Sequence, residues 1–321
     1  MHSLNHVYRL VWNARHQRWQ AVPETARGRG KSGRAARLSA AALALLAAFG
    51  PASAWAQALS AIDPLTLPTG AQVVAGQATV VKAPNAASLT IQQASNRAVL
   101  NWDTFNLGQQ ASLRFEQPSA QSVTLNRVLG GGQSTILGQI SAPGQVFISN
   151  PDGVLFGRSA RVDVGGLLAT THRIDADAFM AGRTELARAG STGAVVNQGE
   201  LRSSLGGYIA LLAPEVRNQG VVLAQAGTVA MASGETITLR FEGDKRLASL
   251  QTTPSAIASL VENGHAVLAP GGLIILSASG ASRLQAGVIR QSGELNASSL
   301  QNQGGRIVLE GDDISLASGP L

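Results

Sequence analysis

Chemistry at a protein site needs a few reactive side chains at fixed spacing, so the histidines, the aspartates and the triple glycine of this 321-residue chain are the first places to look. Of five histidines only His172 and His265 lie beyond Gln57, and neither stands in a metal-ligand spacing or beside a nucleophile motif. His172 follows Thr170 and Thr171 at a strand end and reads as a solvated turn position. Asp152, Asp163, Asp175 and Asp177 offer carboxylates for acid–base work or calcium, but they share no period, and no glycine–aspartate nonapeptide accompanies them. Gly130–Gly132, followed by Gln133, Ser134 and Thr135, lacks the lysine of a phosphate-binding loop and reads as a turn. The chain has no cysteine, hence no thiolate ligand and no disulfide. No catalytic residue, metal ligand or cofactor is expected, and the chain is not read as an enzyme.

The residues that shape backbone say more. Asn150, Pro151, Asp152 and Gly153 end one apolar stretch, and Val154, Leu155, Phe156 and Gly157 begin another. Pro151 suits position i+1 of a type I turn, Asp152 can bond the local backbone, and Gly153 tolerates positive φ. In the strand before the turn, Gly144–Ser149, Val146 and Ile148 alternate with Gln145 and Phe147, so both faces carry apolar surface. Two-sided burial predicts a coiled or stacked sheet.

Internal repetition sharpens that expectation. Asn197, Gln198, Gly199 recurs as Asn218, Gln219, Gly220, and once more as Asn302, Gln303, Gly304. Gly207–Leu211 returns as Gly227–Met231, with later copies at Gly272–Leu276 and Gly305–Leu309. A strand–turn–strand period of about 20 residues is that of a parallel β-helix, in which each coil buries its apolar face only against its neighbours. Parallel crossovers make it right-handed. The recurring Asn and Gly residues are expected in turns and stacked side-chain ladders. The repeat breaks over Asp175–Gly193 and again over Gly234–Leu260, where the chain is expected to leave the stack. Ala58–Pro68 reads as an extended lead-in. Gly70–Leu100, with strands at Ala78–Lys82 and Ser88–Gln92, reads as an N-terminal cap over the first open coil, with Trp102 and Phe105 as anchors beneath it.

Composition agrees with this architecture. Hydrophobic residues make up 45% of the chain but aromatic residues only 4%, against 36 glycines, so small and β-branched side chains must fill the interior. The formal charge of +6 is unevenly placed: eight of the 25 Lys and Arg residues, but one of the 19 Asp and Glu residues, precede Gln57. Beyond that point the charge is nearly balanced, which removes the electrostatic basis for nucleic-acid binding.

Leu38–Phe49 is an Ala- and Leu-rich run followed by Gly50, Pro51, Ala54, Trp55 and Ala56. Twelve residues span roughly 18 Å as a helix, short of a bilayer's ~30 Å core. It reads as a signal peptide handled by the Sec translocon and signal peptidase, with Ala54 and Ala56 forming the A-x-A site and Gln57 the first mature residue. Ahead of it, Tyr8, Trp12 and Trp19 sit in a long cationic segment, read either as an amphipathic interfacial element or as an unstructured n-region.

Several motifs occur in order: Asn101–Gly108, Leu125–Val128, Ser134–Gly138, Ala142–Gly144, Asn150–Gly157 and Val162–Thr170. Together, from about Leu65 to Glu310, they resemble the secretion domain of two-partner secretion exoproteins, the filamentous haemagglutinin family, and the leader resembles the extended signal peptide region of large Gram-negative exoproteins. The resemblance implies an all-β, right-handed parallel β-helix with N-terminal cap strands and extra-helical excursions. It divides the chain into a cleaved leader at 1–56, a secretion domain at 57–310, and a tail or start of further coils at 311–321. It further implies a cell-surface or secreted protein of a Gram-negative bacterium, recognised by the POTRA domains of an outer-membrane β-barrel transporter and displayed as an adhesin-like β-helix that meets a host or bacterial surface receptor. Asn101, Trp102, Asn126, Asn150, Pro151, Asp152 and Gly153 are the residues expected to serve transporter recognition or to stabilise the fold. Many relatives carry Asn where this chain has Asp152. A secreted β-helical polysaccharide-active enzyme, or the secretion module of a contact-dependent toxin without its effector part, is the alternative reading. Relatives usually continue much further, so a truncated gene and a minimal exoprotein both stay open.

Overall fold

The computed structural model describes residues 8–13, 18–23, 62–84, 87–243, 246–299 and 305–317. The chain divides into two units, Met1–Leu59 and Ser60–Leu321. In the first, Tyr8–Asn13 and Arg18–Pro23 pair as an antiparallel hairpin with Trp12 opposite Trp19, an ordered pairing that neither reading of the leader foresaw. The signal-cleavage residues Ala54, Ala56 and Gln57, and the apolar run before them, lie outside the described residues. No helix among the described residues is long and apolar enough to cross a membrane.

The second unit is a parallel β-helix built from three columns of stacked strands. Column A runs from Ser88–Gln93 through Ser112–Glu116, the first part of Gln139–Ser149, the first part of Arg161–Thr170, Glu200–Ser203, Val221–Leu223 and Ala266–Leu268 to Glu294–Asn296. Column B stacks Arg97–Trp102, Val123–Val128, the second parts of the same two long strands, Tyr208–Leu212, Thr228–Ser233, Leu273–Ala278 and Arg306–Gly311. Column C stacks Ser134–Ile136, Val154–Phe156, Ala194–Asn197, Glu215–Asn218, Ser259–Asn263, Gly287–Gln291 and Asp313–Leu316. Residues 313–316 therefore sit in register on the coil beneath them.

Alternation decides what each strand buries. In column B, Leu100, Trp102, Val128, Val146, Ile148, Leu167, Ala169, Ile209, Leu211, Val229 and Met231 point inward and form the main core. The intervening Val99, Leu125, Phe147, Leu168, Ala210, Ala230 and Ile275 point outward, and they are buried too. The two repeat-breaking stretches cover them. Arg173–Ile174, Glu185–Ala187, Thr236–Glu242 and Arg246–Thr252 form a four-stranded antiparallel sheet, and a short helix, Ala176–Met180, drops Phe179 onto Phe147 with ring centroids 5.7 Å apart. Asp175 caps that helix, its carboxylate accepting from Ala178 N–H at 2.8 Å. Both departures from the repeat are thus lids over one outer face.

At the N-terminus, Gln72–Ala75 and Ala78–Lys82 pair antiparallel with the first coil's strands, ending the parallel stack as a cap does. Trp102 and Phe105 lie fully buried beside it, rings edge to face at 5.5 Å. The glycine repeats have a steric cause: a Cβ on Gly227 would fall 2.0 Å from the Gly207 carbonyl oxygen, and one on Gly272 equally close to that of Gly227.

Candidate functional site

The residues singled out by sequence gather on the first coils of column B and on the corner where it turns into column C. Asn126 points into the core, where an amide needs partners. Its Oδ1 accepts from Trp102 Nε1 at 3.0 Å, and its Nδ2 donates to the Phe147 carbonyl at 3.1 Å, so one side chain ties three successive coils. Asn101 faces the other way, its Oδ1 accepting from Arg127 Nε at 3.0 Å. Burial lowers the Arg127 pKa, helped by neighbouring Arg173 and opposed by Asp175 and Asp177.

At the corner, Gly153 N–H donates to the Asn150 carbonyl at 3.0 Å, closing the expected turn, and Gly153 has φ of 116°. The local side-chain bond, however, is made by Asn150, whose Oδ1 accepts from Asp152 N–H at 3.0 Å. Asn150 Nδ2 also reaches Ser134 Oγ at 2.8 Å and the Gly132 carbonyl at 3.0 Å. Asp152 instead bonds to the coil below, its Oδ2 accepting from Gly132 N–H at 2.7 Å, so the triple glycine and the aspartate are two halves of one corner. An Asn at 152 has an oxygen for the same bond. From the coil above, Ser191 Oγ donates to the Pro151 carbonyl at 2.6 Å. Trp102, Asn126, Asn150 and Gly153 are buried, Asn101 is half-buried, and Pro151 and Asp152 face solvent.

The Asn repeats form a buried ladder at the column C to column A corner. Asn197 Nδ2 donates to Asn218 Oδ1 and Asn218 Nδ2 to Asn263 Oδ1, both at 2.8 Å, and Asn263 Nδ2 reaches Gln291 Oε1 at 3.0 Å. The third rung is Asn263. The second lid sets the second and third rungs 45 positions apart and hides the periodicity. Asn302–Gly304 lie outside the described residues.

His172 is the clearest correction. Far from a solvated turn, it is wholly buried where the first lid leaves the stack, its Nε2 2.9 Å from the Gly234 carbonyl at the root of the second. A carbonyl only accepts, so Nε2 carries the proton and Nδ1 is left without a partner. Desolvation lowers its pKa below the ordinary 6.5. Close by, Arg188 Nε bonds Glu235 at 2.8 Å, and that bond holds the glutamate pKa down. The signal for this site was present: Thr171-His172 and Ser233-Gly234 each end an apolar strand just before the repeat breaks. Asp163, Asp175 and Asp177 form no cluster with Asp152, and among the described residues no metal-binding group of His, Asp and Glu occurs.

A family model for the TPS secretion domain matches residues 66–319, the motif-bearing coils and nearly all the stack above them. The chain belongs to the TPS secretion domain family. Residues 5–53 match the extended signal peptide of type V secretion systems. This is a two-partner secretion exoprotein sequence, exported from a Gram-negative bacterium through the periplasm. A heme/hemopexin-binding protein of Haemophilus influenzae strain Rd is 32% identical over 257 residues, covering 78% of this chain. A second from that species is 28% identical over 266 residues, covering 76%. The chain spans 28% of the length of these relatives. The crystal structure of the HMW1 secretion domain from Haemophilus influenzae matches with a TM-score of 0.64 at 24% identity, over 78% of this chain and 72% of that one, which shows a shared fold. The relatives are named as secretion or binding proteins, not enzymes.

Proposed function

We propose that the mature chain is bound while still unwound by the periplasmic POTRA domains of a cognate outer-membrane β-barrel transporter, and that it winds into the β-helix on emergence, to be displayed as an adhesin-like surface. The observation carrying this reading is that Trp102, Asn126 and Asn150 are sealed inside the wound stack. Inner strands are moreover hydrogen-bonded to a coil on each side. A transporter that reads these strands must meet them before they pair. Unwound, they are extended segments with free backbone edges, suited to adding onto an exposed sheet edge by β-augmentation. Winding outside then buries both faces of column B, a free-energy drop that favours outward transit where no nucleotide is present to drive it.

Two measurements test it together. Deleting the transporter should abolish the protein in the medium, and a periplasmic POTRA fragment should capture chain freshly diluted from urea but not refolded chain. Undiminished release without the transporter, or equal capture of the refolded protein, would overturn the proposal.

A further inference from the structure

Where the lids stop short of the first coils, a cleft of about 370 Å³ opens between the outer row of column B and the lid turns at Gly182 and Gly243. Its floor is the row Arg97, Val123 and Gln145, stacked in register. Asn96, Ser119, Gln121 and Thr184 add amide and hydroxyl groups, and the rings of Phe147 and Phe241 add apolar surface. Among the described residues Asp and Glu do not line it, and Arg97 is the charged group that does.

Arg97 is built in place rather than waving in solvent. Its Nη1 donates to the Phe179 carbonyl at 3.1 Å and its guanidinium lies 5.2 Å from the Phe179 ring centroid, yet among the described residues it has no ion pair. Gln145 is fixed likewise, its Oε1 accepting from the buried Tyr208 hydroxyl at 2.6 Å. Tyr208 in turn packs edge to face on Phe241, ring centroids 5.2 Å apart. A half-buried fork of N–H donors without a carboxylate favours a carboxylate ligand. Amides and hydroxyls around an aromatic wall favour a ring bearing several hydroxyls, and the volume is within the range of small-ligand pockets.

We propose that this cleft binds an acidic sugar, a hydroxyl-rich ring with one carboxylate, which Arg97 holds while the amides read its hydroxyls. The proposal is separate from the export reading, since it concerns the wound protein. The test is saturation-transfer NMR and calorimetry on the purified secreted protein, with glucuronate as probe and glucose and acetate as comparators. Glucuronate should bind saturably and more tightly than either comparator, and Arg97→Gln should weaken it about tenfold or more, the scale of a lost charge-assisted pair. Because Arg97 also holds Phe179, the exposed Gln121→Trp provides a second variant that fills the mouth of the cleft and leaves the core untouched. It should abolish binding with an unchanged melting curve. A hyaluronate tetrasaccharide that displaces glucuronate would place the natural ligand on a polysaccharide; one that does not would leave the free sugar acid as ligand. Equal binding of glucose, no saturable glucuronate signal at millimolar concentration, or retention of binding in Gln121→Trp would overturn the proposal.

Discussion

Mild acid should loosen this protein through His172. Buried with Nε2–H on the Gly234 carbonyl and Nδ1 unpartnered, the ring can take a second proton only by carrying a charge out of water, a cost that the nearby Gly234 and Leu212 carbonyls offset only in part. The nearest charges do little to help: Glu235 favours the protonated ring and Arg188 opposes it, and the two are bonded to each other. The sign follows. The folded pKa lies below the ordinary 6.5, so in the window beneath that value the unfolded chain binds a proton the folded chain refuses, and stability falls as pH falls. The loss sets in as pH falls through the ordinary value and its slope can reach at most about 1.36 kcal/mol per pH unit for this single group. Glu235, whose pKa is depressed, contributes stability above its unfolded value and loses it only at lower pH, outside this window.

Trp102 is the only tryptophan beyond Gln57, so its emission reports unfolding of the mature chain in urea. The assay is urea unfolding across that pH range on wild type and His172→Gln, whose amide can still donate to Gly234 but does not titrate. The wild type should lose stability more steeply than the variant as pH falls from about 7.5 to about 5.5, by at most about 1.36 kcal/mol per pH unit, and hydrogen exchange should show the roots of the two lids opening first. Identical pH slopes in the two proteins, or a wild type that gains stability in acid, would refute the reasoning.

Two further substitutions probe the polar groups inside the stack. Asn126→Ala strands the Trp102 indole N–H and the Phe147 carbonyl and should cost about 2–6 kcal/mol, at about 1–3 per unpaired buried group; a loss below about 1 kcal/mol in urea melts would show that the tie across three coils is unimportant. Asn218→Ala breaks the ladder on both sides and should cost about 2–4 kcal/mol, whereas Gln198→Ala, which removes an exposed bond to Gln219, should cost under about 0.5 kcal/mol; equal melting points for the two variants would contradict the ladder's role.

The coiled architecture was legible because a β-helix repeats its steric demands: glycines recur where backbones touch, and Asn recurs where an amide must bond the next coil. Burial on both faces of Gly144–Ser149 was legible too, since Phe147 alternates with Val146 and Ile148. The identity of the cover was not, because it comes from residues far along the chain, Phe179, Leu186, Ile237 and Leu247, whose own stretches read only as breaks in the repeat. His172 was misplaced for the same reason. A histidine after two threonines at a strand end looks solvated until a lid rooted over 60 residues later closes on it. Likewise Asp152 looked like a turn residue bonding its own loop, and its partner, Gly132, is adjacent only once two coils have stacked.

That separation orders assembly. The main core can grow coil by coil, each strand finding its partner one turn back, so its burial accrues as successive coils are added. The outer face of column B cannot. Val99, Leu125 and Phe147 belong to the first coils, but Phe179 arrives only with the first lid, and the sheet over this face is completed by Thr236–Glu242 and Arg246–Thr252 from the second. Until then the early coils carry a bare apolar strip, of the kind that draws a partner or an aggregate. His172 bonded to Gly234 joins the roots of the two lids, and Arg188 bonded to Glu235 repeats that link beside it. These bonds form only when both lids are present, so they make closure of the strip cooperative. The strip is then held closed at the place where the roots of the two lids meet.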